Sequence, residues 1–196
     1  MKLNLEKITK NSRTAFDDTV NPVKKNRVLK IFSNLLIKNK RLIFKENRKD
    51  MILAKQKKIK ESLIKRLELD DNKIKYIIKS VKDIIKIKDP TNNTLDMWKR
   101  PNGLIIKKVT VPIGVIAVVY ESRPNVTSDV ASLCFKSGNA VILRGGSEAF
   151  NTNKIISNLF RKSLKKCGVN QNYVQFIDSK NRKIVDNLLS KMKGNI

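Results

Sequence analysis

The sequence predicts an α/β protein: a helical N-terminal region over residues 1–94, then an incomplete doubly wound, Rossmann-like parallel sheet over residues 95–196. Three observations predict it. All seven glycines fall at Gly103 or later, so nothing before them interrupts a helix with a free backbone. Before that point apolar residues recur at helical spacing. After it, short apolar runs rich in Val and Ile alternate with amphipathic stretches, the pattern of βαβ units.

In order along the chain, VKKNRVLKIFSNLLIKNKRLIFK (23–45) places Val28, Ile31, Phe32, Leu35 and Leu36 on one face of an amphipathic helix. ENRKDMILAKQKKIK continues as a second helix and ESLIKRLEL as a short third. Asp70 or Asp71 can cap the next, which runs through Ile74, Ile77, Ile78, Val81, Ile84 and Ile85 and is ended by Pro90. Pro101-Asn102-Gly103 signals a turn, and LIIKKVTV after it favours a strand. GVIAVVY (114–120) is a continuous apolar run, as for a strand buried on both faces of a parallel sheet. A helix follows from about Ser128 to Lys136 and stops at Ser137-Gly138-Asn139. AVILRGG is the next strand, SEAFNTNKIISNLFRKSLKKCG a long helix, YVQFIDS a further strand and NRKIVDNLLSKM a final helix.

Composition excludes several classes of function. The net charge is +26, but 33 lysines and 10 arginines are spread along the whole chain beside abundant Ile and Asn. Those three residue types share AT-rich codons, so genome composition accounts for much of the excess, and no specific nucleic acid is expected as a partner. The chain has no histidine, which removes His-based acid–base pairs, triads and His-ligated metals, and no metal site is expected. No run approaches the ~20 apolar residues of a membrane span, and the start lacks the apolar core of a secretory leader. Two cysteines make no disulfide framework. A reduced, cytoplasmic protein without a membrane partner is expected.

Ligands of such sheets bind beyond the carboxyl ends of the strands, where loops enter helices. Two loops fall at that edge: Glu121-Ser122-Arg123-Pro124-Asn125 and Arg144-Gly145-Gly146-Ser147-Glu148. In the first, Pro124 stiffens the turn, Asn125 offers a neutral amide, and Thr127 or Ser128 can cap the following helix. In the second, paired glycines let backbone approach a ligand, Arg144 supplies cationic donors, and Glu148 can accept from ribose hydroxyls. Spacing alone leaves open a plainer reading, two well-capped loops whose Glu, Arg and Asn satisfy one another. Neither a GxGxxG nor a Walker loop is present.

RPNGL at 100–104, VPIGVIAVVYESRPNVTSDVASLCFKSGNAVILRGGSEA at 111–149 and the helix after it closely resemble the γ-glutamyl phosphate reductases, or glutamate-5-semialdehyde dehydrogenases, of the aldehyde dehydrogenase superfamily. ENRKDMILAK and SLIKRLELDDNKI extend the likeness more weakly into the helical region. The resemblance implies an NADPH-dependent reduction of L-glutamyl 5-phosphate to L-glutamate 5-semialdehyde in proline biosynthesis. In that reaction a cysteine thiolate attacks the acyl phosphate and the thioester takes a hydride. By the same resemblance Asn125 is the oxyanion-stabilising asparagine, and Arg144, with Gly145, Gly146, Ser147 and Glu148, contacts the ribose end of NADPH. There an arginine would favour the 2′-phosphate. Arg123 matches an anion or substrate contact more loosely.

The family's catalytic cysteine motif is absent from these residues. Cys134 lies on the apolar side of VASLCF and reads as a packed thiol, and Cys167 sits at a helix C-terminus where the dipole disfavours thiolate, although Lys165 and Lys166 pull the other way. The expectation is an N-terminal, cofactor-binding portion that is inactive alone, with a separately encoded C-terminal half as partner and a homo-oligomer once completed. The rival expectations are a non-catalytic remnant of that enzyme and a basic nucleic-acid-associated protein.

Overall fold

The computed structural model describes residues 4–181 and 183–191. Helix α1 (Leu5–Asp17) starts at Asn4, whose side chain accepts the Lys7 N–H at 2.9 Å, and α2 (Pro22–Lys38) starts at Asn21, which accepts from Lys24 at 2.8 Å. Helix α3 (Lys40–Gln56) begins where the sequence reading ran one helix on to residue 45. Asn39 breaks that helix. Its amide turns back onto the Leu35 carbonyl at 2.8 Å, the local bonding by which Asn competes with a continuing helix. Apolar spacing runs on through the break, so periodicity alone does not show it. Helices α4 (Glu61–Leu67) and α5 (Asp71–Lys86) follow, α5 capped by Asp70 at 2.7 Å from Lys73 N. Helix α5 stops at Lys86, before Pro90 could force it to. Asp89 beyond it is committed to Lys25 at 3.0 Å and to Thr91, so the chain is already extended at Ile87.

Strands β1 (Thr94–Lys99) and β2 (Ile105–Val109) form an antiparallel hairpin about Pro101-Asn102-Gly103. Gly103 takes a φ of +87°, which the turn requires. The hairpin is exposed along nearly its whole length. Strands β3 (Val115–Val119), β4 (Ala140–Arg144) and β5 (Val174–Phe176) make a parallel sheet in that order, joined by α6 (Pro124–Lys136) and α7 (Phe150–Lys166). Helix α8 (Lys183–Lys191) comes last, and the residues expected to extend it to Met192 lie outside the described ones. The double-sided burial expected of 114–120 belongs to β4 instead. Strand β4 is central and buried at every position, whereas β3 is an edge strand of this sheet and leaves Val119 50% exposed.

Pleating sends alternate side chains of β5 to opposite faces. Gln175 donates to the Ile8 carbonyl and to Ser12 of α1, at 2.6 and 2.7 Å, while its neighbour Phe176 packs against Phe150 of α7. Helices therefore cover both faces, and α2, α3 and α5 form a further layer against α6 and α7. Phe32 of α2 meets Phe160 of α7 with ring centroids 4.6 Å apart, and Phe160 meets Phe135 of α6 edge-on at 5.8 Å. One apolar core runs from Ala15 to Leu188 across the boundary drawn at residue 94. That boundary marks a change of secondary structure over a shared core. No helix among the described residues is long and apolar enough to cross a membrane.

Candidate functional site

The two loops leave the sheet side by side. Tyr120 N–H donates to the Arg144 carbonyl at 3.0 Å, carrying the β3–β4 ladder one residue past the end of β3. Beyond it Ser122 Oγ donates to Glu148 Oε2 at 2.5 Å, and Ser147 Oγ donates to Oε1 of the same carboxylate at 2.8 Å. The first of these bonds joins the ESRPN loop to the RGGSE loop, and the second orients the carboxylate within it. Gly146 lies within the junction: a Cβ there would stand 2.2 Å from Ser122 Oγ and 3.0 Å from the Ser122 nitrogen. Beneath Gly145 a Cβ would meet Asn153 Nδ2 at 2.2 Å and the Tyr120 ring at 2.9 Å. Both glycines are needed for lack of space.

A polar chain fastens this floor. Thr127 Oγ1 donates to Asn153 Oδ1 at 2.9 Å, so the Tyr120 hydroxyl, 2.7 Å away, donates to Thr127. Burial pushes the Tyr120 phenol up to about 12, against the opposing pull of Thr127 and Arg144, so it stays a donor. The start of α7 is held from outside the sheet. Asp50 of α3 accepts the Thr152 N–H and hydroxyl on one oxygen, at 2.8 and 2.7 Å, and the Asn151 N–H and amide on the other, at 3.1 and 2.8 Å. Burial raises its pKa even against those four bonds. Asn47, one turn earlier, binds the Leu67 carbonyl, Leu69 N–H and Thr152, tying the end of α4 to α7. Asp50 reads in sequence only as one more charge in a Lys-rich helix.

Asn125 is the second residue of α6, half-buried, and its amide donates to Asp129 Oδ2 at 3.3 Å. Asp129 is fixed in turn by Ser80 of α5 at 2.8 Å. Arg123 is the N-cap residue of α6 and is half-exposed, 3.8 Å from Glu121. One expectation needs correction. Helix α6 begins at Pro124, so Thr127 and Ser128 lie inside it and cap nothing; proline suits the first helical position, where no N–H is needed. Arg144 ends β4 at 5% exposure, and its guanidinium donates to the Gly145 and Lys180 carbonyls. Glu148, expected to accept from a ribose, holds the two serine hydroxyls described above.

Above the junction lies a cleft of about 410 Å³. One wall is Gly146, Ser122 and Glu148; the other is largely apolar and comes from the end of α3, the connection after it and α4, including Ala54, Ile59 and Ile64. Sequence reasoning missed this second wall, since its residues are ordinary helix-face apolar residues until the fold carries them over the sheet edge. Neither cysteine lines the cleft. Burial pushes the Cys134 thiol up to about 11, and burial also raises Cys167 although Arg27 and Lys24, rather than the adjacent lysines, pull it down. Among the described residues no group of His, Cys, Asp and Glu could hold a metal ion.

No family model matches the sequence. Curated relatives do. The γ-glutamyl phosphate reductase of Hydrogenobaculum sp. is 48% identical over 173 residues, which are 87% of this chain and 39% of that protein. The crystal structure of γ-glutamyl phosphate reductase from Thermotoga maritima superposes with a TM-score of 0.93 at 38% identity, covering 96% of this chain and 46% of the other. A probable aldehyde dehydrogenase from Listeria monocytogenes, at 13% identity, shares the fold alone, with a TM-score of 0.68 over 94% of this chain and 38% of that one. The chain spans about two-fifths of the length of the curated relatives it matches.

Proposed function

The chain is a homologue of the γ-glutamyl phosphate reductase family over about two-fifths of its members' length, and from that premise we propose that it is their N-terminal, cofactor-side portion. The whole reaction is then the NADPH-dependent reduction of L-glutamyl 5-phosphate to L-glutamate 5-semialdehyde on the way to proline. The observation that carries this reading is the Ser122–Glu148 bond, which brings the RPN loop and the glycine-paired loop to one edge of the parallel sheet.

The residues present fit a dinucleotide. The cleft offers an apolar wall for a base, the missing Cβ of Gly146 lets a ligand approach the backbone, and the Glu148 carboxylate keeps acceptor capacity for a ribose hydroxyl beyond the two serine hydroxyls it holds. NADPH, when bound, supplies the hydride. Asn125, held by Asp129, serves the other reactant: at the start of α6 its amide can donate to oxygen charge developing on an acyl carbon. Arg144 acts from beneath by holding the Gly145 carbonyl, and so shapes the loop for either cofactor. The nucleophilic cysteine belongs to the remaining length of the family's chains, since Cys134 and Cys167 have raised thiol pKa values and lie away from the cleft.

The test is to join these residues to the remaining length of a relative such as the Thermotoga maritima enzyme. The phosphate-dependent reduction of NADP by glutamate 5-semialdehyde, the reverse reaction, is then measured. The joined protein should turn over and the 196-residue chain should not. Turnover by the chain alone, abolished by Cys134→Ser or Cys167→Ser, would overturn the division proposed here.

A further inference from the structure

A second cleft, of about 470 Å³, adjoins the first and has a different character. It is lined by Lys65 and Arg66 of α4, Lys73 of α5, and Arg123 and Asn125 at the start of α6. Arg66 and Arg123 also line the cofactor-side cleft, so these two guanidiniums stand on the ridge between the pair. Among the described residues no acidic side chain lines the second cleft. Glu121 stands on the ridge, with Oε2 3.6 Å from Arg66 Nη1 and 3.8 Å from Arg123 Nε. Those contacts are long and solvent-exposed, too weak to neutralise two arginines. Lys65 has an equally exposed partner in Glu61 at 3.2 Å. Lys73 is held in place, with its ammonium donating to the Lys65 and Glu68 carbonyls at 2.7 Å each, and it keeps a third donor.

A concavity of similar size between α3 and α5 is lined by Lys40, Lys75, Lys79 and Lys82 but holds no arginine. The cleft beside Asn125 differs in bringing two guanidiniums together with two ammoniums from three elements. Clustered arginines and lysines in a concave site suit a compact dianion, with planar forks for paired oxygens and point charges for the remainder. We propose that this cleft is a phosphate site that takes the phosphoryl end of an acyl phosphate, with Glu121 as the carboxylate that the phosphate displaces from Arg66 and Arg123. The assignment rests on the reductase reading, and it places the phosphoryl group on the Asn125 side of the ridge, away from the cofactor.

Inorganic phosphate is the probe, titrated calorimetrically into the 196-residue chain in chloride buffer at about 0.15 M, where diffuse charge is largely screened. One phosphate should bind per chain. Arg66→Gln and Arg123→Gln should each weaken it roughly threefold to tenfold, and Glu121→Gln should tighten it by a similar factor. The doubly substituted Lys79→Gln, Lys82→Gln chain, which removes two charges from α5 outside the cleft, should bind as the parent does. Weakening by that control equal to the arginine variants would show diffuse charge and overturn the proposal, as would no effect of Glu121→Gln. Displacement of phosphate by 2′,5′-ADP would make this cleft a cofactor subsite and would also overturn it. The titration contains no cofactor and no turnover, so its outcome is independent of the reductase assay.

Discussion

Replacing Gly146 by alanine tests the loop junction without removing any polar group. The new Cβ would stand 2.2 Å from Ser122 Oγ, 3.0 Å from the Ser122 nitrogen and 3.0 Å from Glu148 Oε2, against an ordinary contact of 3.4 Å or more. The serine side chain has one rotatable bond, so the clash is relieved only by swinging Oγ away from Glu148 or by separating the loops. Overpacking of this kind costs about 1–3 kcal/mol. Loss of a hydrogen bond to a carboxylate adds about 1 kcal/mol at this half-buried position. The sum predicts about 2–4 kcal/mol less stability, read as the shift in urea midpoint at constant slope. Ser122→Ala removes the atom that is struck. In the double variant the clash largely disappears, and the two changes should fall short of additivity by about 1–2 kcal/mol. Full additivity, or a Gly146→Ala chain as stable as the parent, would refute the geometry from which the site is argued.

Three further outcomes follow from particular contacts. Arg144→Ala in the joined protein should raise the dissociation constants of NADPH and NADH by the same factor, because the buried guanidinium holds the Gly145 carbonyl; a selective loss of NADPH would restore a direct 2′-phosphate contact. Burial pulls the Asp89 pKa upward, but the Thr91 hydroxyl and N–H and the Lys25 ammonium outweigh it and hold the group below its ordinary 3.8. Its folded pKa being depressed, the stability it contributes is present above 3.8 and lost as pH falls through the lowered value. Asp89→Asn should therefore flatten the acid limb of urea midpoints measured between about pH 5 and pH 2. Duplex DNA should bind weakly and without sequence preference, with binding largely gone by ~0.2 M salt in a fluorescence anisotropy titration; tight selective binding at that salt would favour a nucleic-acid role.

Much of the fold was legible because its signals are local. Alternation of apolar runs and helical spacing gave the parallel sheet, and Asp70, Gly103 and Gly138 mark boundaries by their own conformational chemistry. The break at Asn39 and the early end of α5 were not legible, since each depends on where one side chain finds its partner. The loops ESRPN and RGGSE were found by their position at strand ends, and the structure joins them. The burial of Arg144 was not visible, because that depends on β4 being central rather than on any neighbour in sequence. The same limit hid Asp50, Asn47 and Arg66, which reach the site from helices about a hundred residues or roughly sixty residues away along the chain.

The division of labour between the loops is tested most directly by two variants of the joined protein, with turnover and the NADPH dissociation constant measured for each. Asn125→Ala should lower turnover by ~10²-fold or more and leave cofactor affinity nearly intact, because its amide serves the developing oxyanion and Asn125 does not line the cofactor-side cleft. Glu148→Gln should weaken NADPH and leave turnover at saturating cofactor within a few-fold of the parent. Equal loss of affinity in both variants, or unchanged turnover in Asn125→Ala, would contradict the assignment.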